Sequence, residues 1–425
     1  MQFITRVLAA AAAAAPFLAQ AAPLSTRQSD DIIPGKYIIR LKPDADIATI
    51  ASHHIKVREI HARNLARRYT EEESGGKERE YSFGGFKGYA GSFDAATITE
   101  LEAMDEVMIV EPDYIMYTAQ VNSTVPDNTN ISASLVTQEN APWGLGAISA
   151  RTRLDQENPV DYIYDSSAGQ GTFSYVVDTG IRTTHTDFEG RAIWGFNAVT
   201  GTTNTDNEGH GTHVAGTVGG KTYGVAKKTT LVAVKVFEGG QGSTSTVIAG
   251  FDWAVNDIVT KGRQNTGVIN LSLGGPGSAI WDAAITEAWA SGVLSVTAAG
   301  NENQLASNRS PGRAPEALNV GNLQSNDVRY PGTYGSNYGP AVDIWAPGTG
   351  ILSAYATSDN ARAALTGSSM ASPHVAGLVS YLRALEGFSS AEAIRARVIE
   401  LATPDRVSDG QGAANLFAYN NNGQR

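Results

Sequence analysis

Four short apolar runs separated by helical stretches constrain the fold of this chain more than any other feature. The runs occupy residues 173–177, 230–236, 268–273 and 293–296. Segments that are apolar at almost every position are typical of strands buried on both faces, as in a parallel sheet. Their alternation with helices predicts an α/β domain over residues 137–425, with a doubly wound, mostly parallel sheet and helices on both faces.

The composition excludes several classes of protein. The chain has 425 residues, of which 42% are hydrophobic and 18% charged, and it has a net charge of −11 and no cysteine. The apolar share is enough for a large packed core, which excludes wholesale disorder. A nucleic-acid-binding protein is normally basic, so we expect no nucleic-acid partner. Without cysteine the chain cannot form disulfides, thiolate metal sites or a cysteine nucleophile.

The first 21 residues have the pattern of a secretory signal peptide. A short basic start precedes an apolar run over residues 7–19, and the small residues Ala19 and Ala21 mark a cleavage position. This run is too short for a membrane-spanning helix, which needs about 20 apolar residues. We therefore expect a secreted, extracellular protein that does not enter a membrane. A buried N-terminal helix is the alternative.

Residues 22–119 are predicted to form a separate small α+β module with its core at 36–117. The predicted elements are a strand at 37–42, strand segments at 81–83 and 89–93, a helix at 96–104, and a strand at 107–110 that ends at Pro112. Dense charge over residues 65–80 predicts a solvated loop. Residues 120–136 are polar and rich in turn formers, so we interpret them as an exposed processing linker.

Two candidate functional residues lie where a strand ends and where a helix begins. Asp178 follows the run 173–177, and His210 lies in the segment GHGTHVAG. Functional groups gather at the C-terminal ends of parallel strands, and a neutral imidazole can act as a general base. The alternatives are a turn aspartate and a metal site formed by His210 and His213. The metal site is disfavoured because the glutamate of H-E-x-x-H is missing, and we interpret His213 as structural.

Two further candidates are an asparagine and a serine. Asn301 ends the segment AAGN, where its amide could donate to a developing negative charge or simply form a turn. Ser369 lies in GSSMASPHVAG, at the predicted N-terminus of a helix, where the helix dipole favours an oxyanion. An N-capping serine is the alternative, and the neighbouring serines leave the nucleophile open on these grounds. Pro373 is expected in the first turn of this helix.

The order of the motifs decides between these alternatives. The order Asp178, His210, Ser369 is that of subtilisin, and no G-x-S-x-G motif of an α/β-hydrolase esterase is present. The segments VVDTG, GHGTHVAG, SLGG, AAGN and GSSMASPHVAG resemble the signature motifs of subtilisin-like serine proteases. The segment NAPWGL at 140–145 resembles the mature start of the proteinase K branch, which includes fungal cuticle-degrading enzymes. Two departures are Ser368, where threonine is more usual, and the absence of disulfides.

The resemblance implies a function, a mechanism and partners. It implies a secreted serine endopeptidase in which Ser369 attacks the substrate, His210 acts as base and Asp178 orients the histidine. Asn301 would complete an oxyanion hole. The implied substrate-binding residues are Ser272, Leu273, Gly274, Ala299 and Gly300. We expect broad specificity with a preference for large apolar or aromatic P1 side chains. The module 22–119 resembles a ferredoxin-like pro-domain that inhibits the enzyme and assists its folding.

Other expectations concern ions, glycans and assembly. No cofactor is expected for the chemistry, but the resemblance maps a structural calcium ion onto the carbonyls of Pro315 and Ala317 and the carboxylate of Asp343. Asp343 could instead be a turn residue. Glycosylation sequons occur at Asn122, Asn130, Asn270 and Asn308. Asn270 lies in an apolar strand and is expected to stay unmodified. Protein or peptide substrates and the chain's own propeptide are the expected partners of a monomer.

Two other functions fit the same fold. One is a catalytically inactive, subtilisin-like binding protein, which the presence of all four candidate residues disfavours. The other is a secreted esterase with the same triad, which a comparison of peptide and simple ester substrates would distinguish.

Overall fold

A computed structural model describes residues 31–66, 75–118, 121–123, 130–132, 135–154 and 160–422. The predicted signal peptide lies outside these ranges. Within them, no helix combines the length and the apolar character needed to cross a membrane.

The N-terminal module is an antiparallel sheet with two helices packed on one face. Its elements are β1 (Ile32–Leu41), α1 (Ile47–Leu65), β2 (Gly76–Phe83), β3 (Phe86–Ser92), α2 (Ala95–Glu102) and β4 (Val107–Thr118). The strand order is β2-β3-β1-β4. Asp46 and Asp94 begin the two helices by accepting the N–H groups of Thr49 and Thr97. The predicted α+β module is therefore confirmed.

Three details of this module correct the sequence-based expectation. The sequence analysis did not predict helix α1. Polar residues such as His53 and Asn64 occupy the buried side of this helix, so the sequence shows no clear apolar stripe. The predicted loop at 65–80 is wrong at its end, because β2 begins at Gly76. Strand β4 does not end at Pro112: the register with β1 shifts directly after this residue, so its missing N–H is tolerated.

The rest of the chain contains most of the strands and helices. In chain order the elements are β5 (Val121–Ser123), β6 (Asn130–Ser132), β7 (Leu135–Ala141), α3 (Trp143–Ile148), β8 (Val160–Asp165), β9 (Phe173–Asp178), β10 (Ala192–Asn197), α4 (His210–Gly219), β11 (Thr230–Lys235), β12 (Gln241–Ser243), α5 (Thr244–Thr260), β13 (Gly267–Leu271), β14 (Leu273–Pro276), α6 (Ala279–Ala290), β15 (Leu294–Ala298), β16 (Arg309–Ser310), β17 (Leu318–Leu323), β18 (Ile344–Pro347), β19 (Ile351–Ala354), β20 (Arg362–Thr366), α7 (Ser368–Glu386), α8 (Ala391–Leu401), β21 (Thr403–Pro404) and β22 (Leu416–Phe417).

A nine-stranded sheet forms the centre of this larger module. Its order is β10-β11-β9-β13-β15-β17-β18-β22-β21, and every neighbouring pair is parallel except the last. One hydrophobic cluster joins the sheet to α5 and α6, and another joins it to α4, α7 and α8. The predicted doubly wound fold with helices on both faces is therefore confirmed.

The two modules are joined through one continuous sheet. Strand β4 pairs with β1 along its first part, and its last residues, 115–118, pair with β12 on one edge and with β14 on the other. Phe83 and Phe86 of the small module pack in the same cluster as Phe251 of α5 and Trp281 of α6. The small module therefore lies against α5 and α6 and is joined to the larger module through β4.

Candidate active site

Asp178 and His210 form a buried pair at the C-terminal end of the parallel sheet. Asp178 is the last residue of β9, and His210 is the first residue of α4. His210 Nδ1 lies 2.7 Å from Asp178 Oδ1, and both side chains are fully buried. The same carboxylate oxygen accepts the Thr179 N–H at 2.7 Å. These contacts fix the imidazole ring with Nδ1 toward the carboxylate, and Nε2 has no hydrogen-bond partner among the described residues.

The start of α4 requires glycine on both sides of His210. Gly209 has φ +106°, and a Cβ there would lie 2.5 Å from the Tyr355 ring. A Cβ on Gly211 would lie 2.1 Å from the carbonyl oxygen of Gly180. The helix that carries His210 can therefore approach the loop after β9 closely, which brings the histidine to Asp178.

Two acidic residues before α4 are functional candidates that the sequence analysis missed. Asp206 is buried and accepts hydrogen bonds from the N–H groups of Gly209 and Thr212. Glu208 Oε2 accepts the backbone N–H of His210 at 2.7 Å. Acidic residues just before a helix would have been the signal, because they complement its positive end.

The electrostatic surroundings of His210 favour its protonated form. Burial alone would lower its pKa, but the carboxylate of Asp178, aided by Glu208 and Asp206, raises the pKa above the usual 6.5. Burial also raises the pKa of Glu208. In contrast, burial lowers the pKa of His213 to about 3, and its Nε2 lies 2.8 Å from the carbonyl oxygen of Ile351. His213 is thus a buried, neutral residue, in agreement with its structural interpretation.

Ser369 is the second residue of α7 and contacts Ser272. Its hydroxyl donates to the Ser272 carbonyl oxygen at 2.9 Å, while the Ser272 hydroxyl donates to the Ser369 carbonyl oxygen at 2.9 Å. Pro373 lies in the sixth position of α7, beyond the first turn, so the expectation for this proline is wrong. Since Pro373 has no N–H, the Ser369 carbonyl lacks its helical donor. The Ser272 hydroxyl supplies a donor instead.

Asn301 is held by the same helix start. The N–H of Ser368 donates to Asn301 Oδ1 at 2.8 Å, and the Ser368 hydroxyl accepts the Gly300 N–H at 3.0 Å. The first contact orients the amide, because it assigns the oxygen to the helix side. Asn301 Nδ2 is buried and has no hydrogen-bond partner among the described residues. Such a donor is available to an incoming group.

The predicted substrate segment already pairs with an extended chain. Leu273 and Gly274 are in antiparallel register with Thr118 and Tyr117 of β4. Strand β12 pairs with the opposite edge of β4, at residues 115–117, so β4 lies between β12 and β14. A few residues later, β5 pairs with β20, which ends three residues before Ser369. The chain between β4 and β5 therefore connects two strands that flank the start of α7.

The remaining predicted site residues have these positions. Ala299 is buried, and its carbonyl oxygen accepts the side-chain amide of Asn337 at 2.9 Å. The proposed calcium ligands Pro315, Ala317 and Asp343 all contact the guanidinium of Arg395. The described residues contain no cluster of three or more acidic or histidine side chains that could hold a metal.

The glycosylation candidates differ in accessibility. Asn270 is fully buried, and its amide donates to the Ser272 hydroxyl. Asn308 is half-buried, and its amide donates to Gln304 Oε1 at 3.2 Å. Asn122 and Asn130 lie in β5 and β6.

Comparisons with known proteins agree with this architecture. The Subtilase family model matches residues 169–419, and the Peptidase inhibitor I9 model matches residues 36–119. Alkaline protease 1 of Aspergillus clavatus is 47% identical over 422 residues, which cover 99% of both proteins. Alkaline proteinase of Hapsidospora chrysogena is 49% identical over 406 residues, covering 95% of this chain and 96% of that protein. The crystal structure of a cold adapted subtilisin-like serine proteinase is 38% identical with a TM-score of 0.61, covering 66% of this chain and 98% of that one.

These matches and the fold define the class as serine endopeptidases with an inhibitory propeptide. The chain belongs to the subtilase family. Its N-terminal module is an I9-type pro-domain, so the chain with this module attached is the precursor form.

Proposed function

We propose that Ser369, His210 and Asp178 act as nucleophile, general base and orienting carboxylate in the hydrolysis of peptide bonds. The observation that carries this proposal is the buried 2.7 Å contact between Asp178 and His210 Nδ1. The helix α4 that begins at His210 packs against α7, which carries Ser369. A proton on Nδ1 leaves the lone pair on Nε2, where it can accept a proton from the serine hydroxyl.

The proposed reaction needs one rotation, and two proton transfers in each of its two halves, acylation and deacylation. The Ser369 hydroxyl turns from the Ser272 carbonyl toward His210 Nε2 and attacks the scissile carbonyl carbon. His210 takes the hydroxyl proton and delivers it to the leaving amine, which breaks the peptide bond and leaves an acyl-enzyme. A water molecule then gives a proton to His210 and attacks the ester carbonyl, and His210 returns that proton to Ser369 Oγ as the ester bond breaks and the acid product leaves. Asp178 stays ionised and stabilises the imidazolium.

The oxyanion of each tetrahedral intermediate is proposed to lie between the Asn301 side-chain amide and the Ser369 backbone N–H. The unpartnered Nδ2 of Asn301 supports this role, as does the position of Ser369 in the first turn of α7. In subtilisin, a relative, losing such an amide donor lowers kcat by roughly 10²–10³-fold.

Substrates are proposed to bind as an extended strand along Leu273 and Gly274, as β4 does in the precursor. Ala299 and Gly300 would form part of the S1 pocket. These residues are small and uncharged, which is consistent with the expected preference for large apolar or aromatic P1 side chains. Peptides that differ only at P1, with Phe or Leu against Arg or Glu, would test this preference.

We also propose that the precursor is secreted after loss of residues 1–21 and cuts itself between Thr118 and Val121. The flanking strands β4 and β5 pair with β14 and β20, on either side of Ser369. Residues 120–136 would then be trimmed as a linker before the peptidase domain at 137–425. Glycans at Asn308, Asn122 or Asn130 stay predictions.

Ser369→Ala tests the catalytic assignment and the processing site together. Because the nucleophile is lost, this variant should be secreted uncut, without peptidase activity and without labelling by a fluorophosphonate. The control is Ser307→Ala, at an exposed serine outside the site, which should mature normally. N-terminal sequencing of the mature wild type and mass spectrometry of its released propeptide locate the cuts. Normal peptidase activity in Ser369→Ala would refute the assignment.

A further inference from the structure

The three groups expected to bind calcium surround an arginine side chain. Arg395 lies in α8, and its Nη2 is 3.0 Å from Asp343 Oδ1, 3.4 Å from the Pro315 carbonyl oxygen and 3.3 Å from the Ala317 carbonyl oxygen. Its Nε is 3.4 Å from the same Ala317 oxygen. One guanidinium therefore contacts all three groups of the expected ligand set.

Calcium and this guanidinium cannot share the site. Two carbonyls and a carboxylate are suitable donors for a hard cation, but calcium needs oxygens at about 2.3–2.6 Å around its centre. The space between these oxygens faces Arg395 Nη2, which carries positive charge and would repel the ion. The second oxygen of Asp343 is also engaged, because it accepts the Asn319 N–H at 2.8 Å. The residues present therefore do not fit a bound calcium ion while Arg395 holds this position.

We propose that the Arg395 guanidinium replaces a structural calcium ion in this protein. The side chain performs the same mechanical task, since it links α8 to the segment before β17 and to Asp343, directly before β18. Unlike a metal ion, a covalently attached cation cannot dissociate when calcium is scarce or chelated. The local stability of this region is then independent of the calcium concentration outside the cell.

The test compares thermal unfolding with excess EDTA and with millimolar calcium chloride. The full-length chain carrying Ser369→Ala is used in every case to prevent self-digestion. In this background Asp343→Asn should leave any calcium-dependent gain in Tm unchanged, because a gain seen with Arg395 in place must come from elsewhere. If Asp343→Asn abolishes such a gain, calcium occupies the site and the proposal is overturned.

Removal of the guanidinium provides the second arm. Arg395→Ala should lower Tm in EDTA and should regain part of the loss in calcium, because the exposed oxygens can now bind the ion. Calorimetric titration with calcium should show one additional binding event, and adding Asp343→Asn should remove it. The matched control is Arg397→Ala in the same helix, which breaks contacts with Glu386 and Glu400 only.

Two results of this second arm contradict the proposal. One is a Tm for Arg395→Ala in EDTA no lower than that of Arg397→Ala. The other is that the chain with Ser369→Ala alone binds as many calcium ions as the chain that also carries Arg395→Ala. Should Arg395→Ala not fold, Arg395→Lys takes its place, since its shorter reach loosens the contacts while the charge is kept.

Discussion

At the residue scale, the charges around His210 set the pH range that the proposed mechanism predicts. In that mechanism a protonated His210 cannot accept the Ser369 proton, so we expect activity to be lost as the pH falls through the pKa of this histidine. That pKa is raised by Asp178 and, to a smaller extent, by Glu208 and Asp206. Asp178 contacts the ring directly, whereas Glu208 accepts the backbone N–H of His210. Its charge can therefore be removed while the hydrogen-bond acceptor is retained.

Glu208→Gln is expected to move the acidic limb of the pH profile of kcat/KM to lower pH. The variant removes one of the negative charges that raise the pKa of His210, so the pKa of the imidazole falls. Activity on the alkaline side should change little. Glu189→Gln serves as the control, because Glu189 is exposed and pairs with Lys221. An acidic limb that stays in place, or moves upward, would show that Glu208 does not tune His210.

The candidate site could be predicted at this scale because each residue lies in a motif at an element boundary. The supporting contacts could not. The sequence predicts Pro373 in the first turn of its helix, but α7 begins earlier. The Ser272 hydroxyl donates to the Ser369 carbonyl in place of the N–H that Pro373 lacks. The two residues of that hydrogen bond, Ser272 and Ser369, lie 97 positions apart in the sequence. Contacts between distant segments depend on the packing of α7 against the sheet, which periodicity does not encode.

At the scale of elements, the pro-domain contacts the larger module at the N-termini of two helices, α5 and α6. Glu111 Oε2 accepts the Ser278 hydroxyl at 2.7 Å, and Glu111 Oε1 accepts the N–H of Ala279, the first residue of α6. Asp113 accepts the N–H of Ser245, near the start of α5, at 3.0 Å. Both carboxylates come from β4, and both meet the positive ends of helices. Strand pairing and these contacts act on the same segment.

Loss of either carboxylate should weaken inhibition by the released propeptide. Glu111→Ala and Asp113→Ala each remove a cap, at a cost of about 1 kcal/mol, which corresponds to a roughly fivefold higher inhibition constant. The measurement is inhibition of the mature enzyme by separately produced propeptide. Asp105→Ala, at an exposed acid of the same module, should inhibit like the wild type. Equal inhibition constants for all three variants would rule out this role of the caps.

Element prediction succeeded where the hydrophobic pattern was clear. The four apolar runs of the large module correspond to the central strands β9, β11, β13 and β15. In the pro-domain the helix α1 has a mixed buried side, and β2 alternates charged and apolar residues within a charge-rich region. A charge-rich segment such as this one is typical both of a solvated loop and of a strand with one face in solvent. Local composition alone does not separate these two cases.

At the scale of the whole molecule, the pro-domain is expected to direct folding. The central sheet joins strands that are distant in sequence, which makes its assembly slow. Strand β4 holds β12 and β14 and contacts the starts of α5 and α6, so it gathers these elements in one place. This arrangement explains how a template that is later removed could lower a folding barrier.

A chain lacking residues 22–119, with Ser369→Ala to prevent digestion, should therefore refold more slowly than the full-length chain with the same substitution. Adding the propeptide separately should restore the rate. Refolding is followed by tryptophan fluorescence after dilution from denaturant. As a control, enzyme matured normally should stay folded after the propeptide is removed, because the barrier affects the rate and not the final state. Equal refolding rates with and without residues 22–119 would contradict the folding role.

The position of β4 between β12 and β14 also bears on aggregation. A strand edge with unpaired N–H and C=O groups is a template for any extended chain, including other copies that have not finished folding. The cleft proposed to bind extended peptides is made of two such edges, those of β12 and β14. In the precursor both edges are covered by β4. With the proposed secretion, the precursor would pass through the secretory compartments with these strand edges covered, and it would expose them only after the propeptide has left.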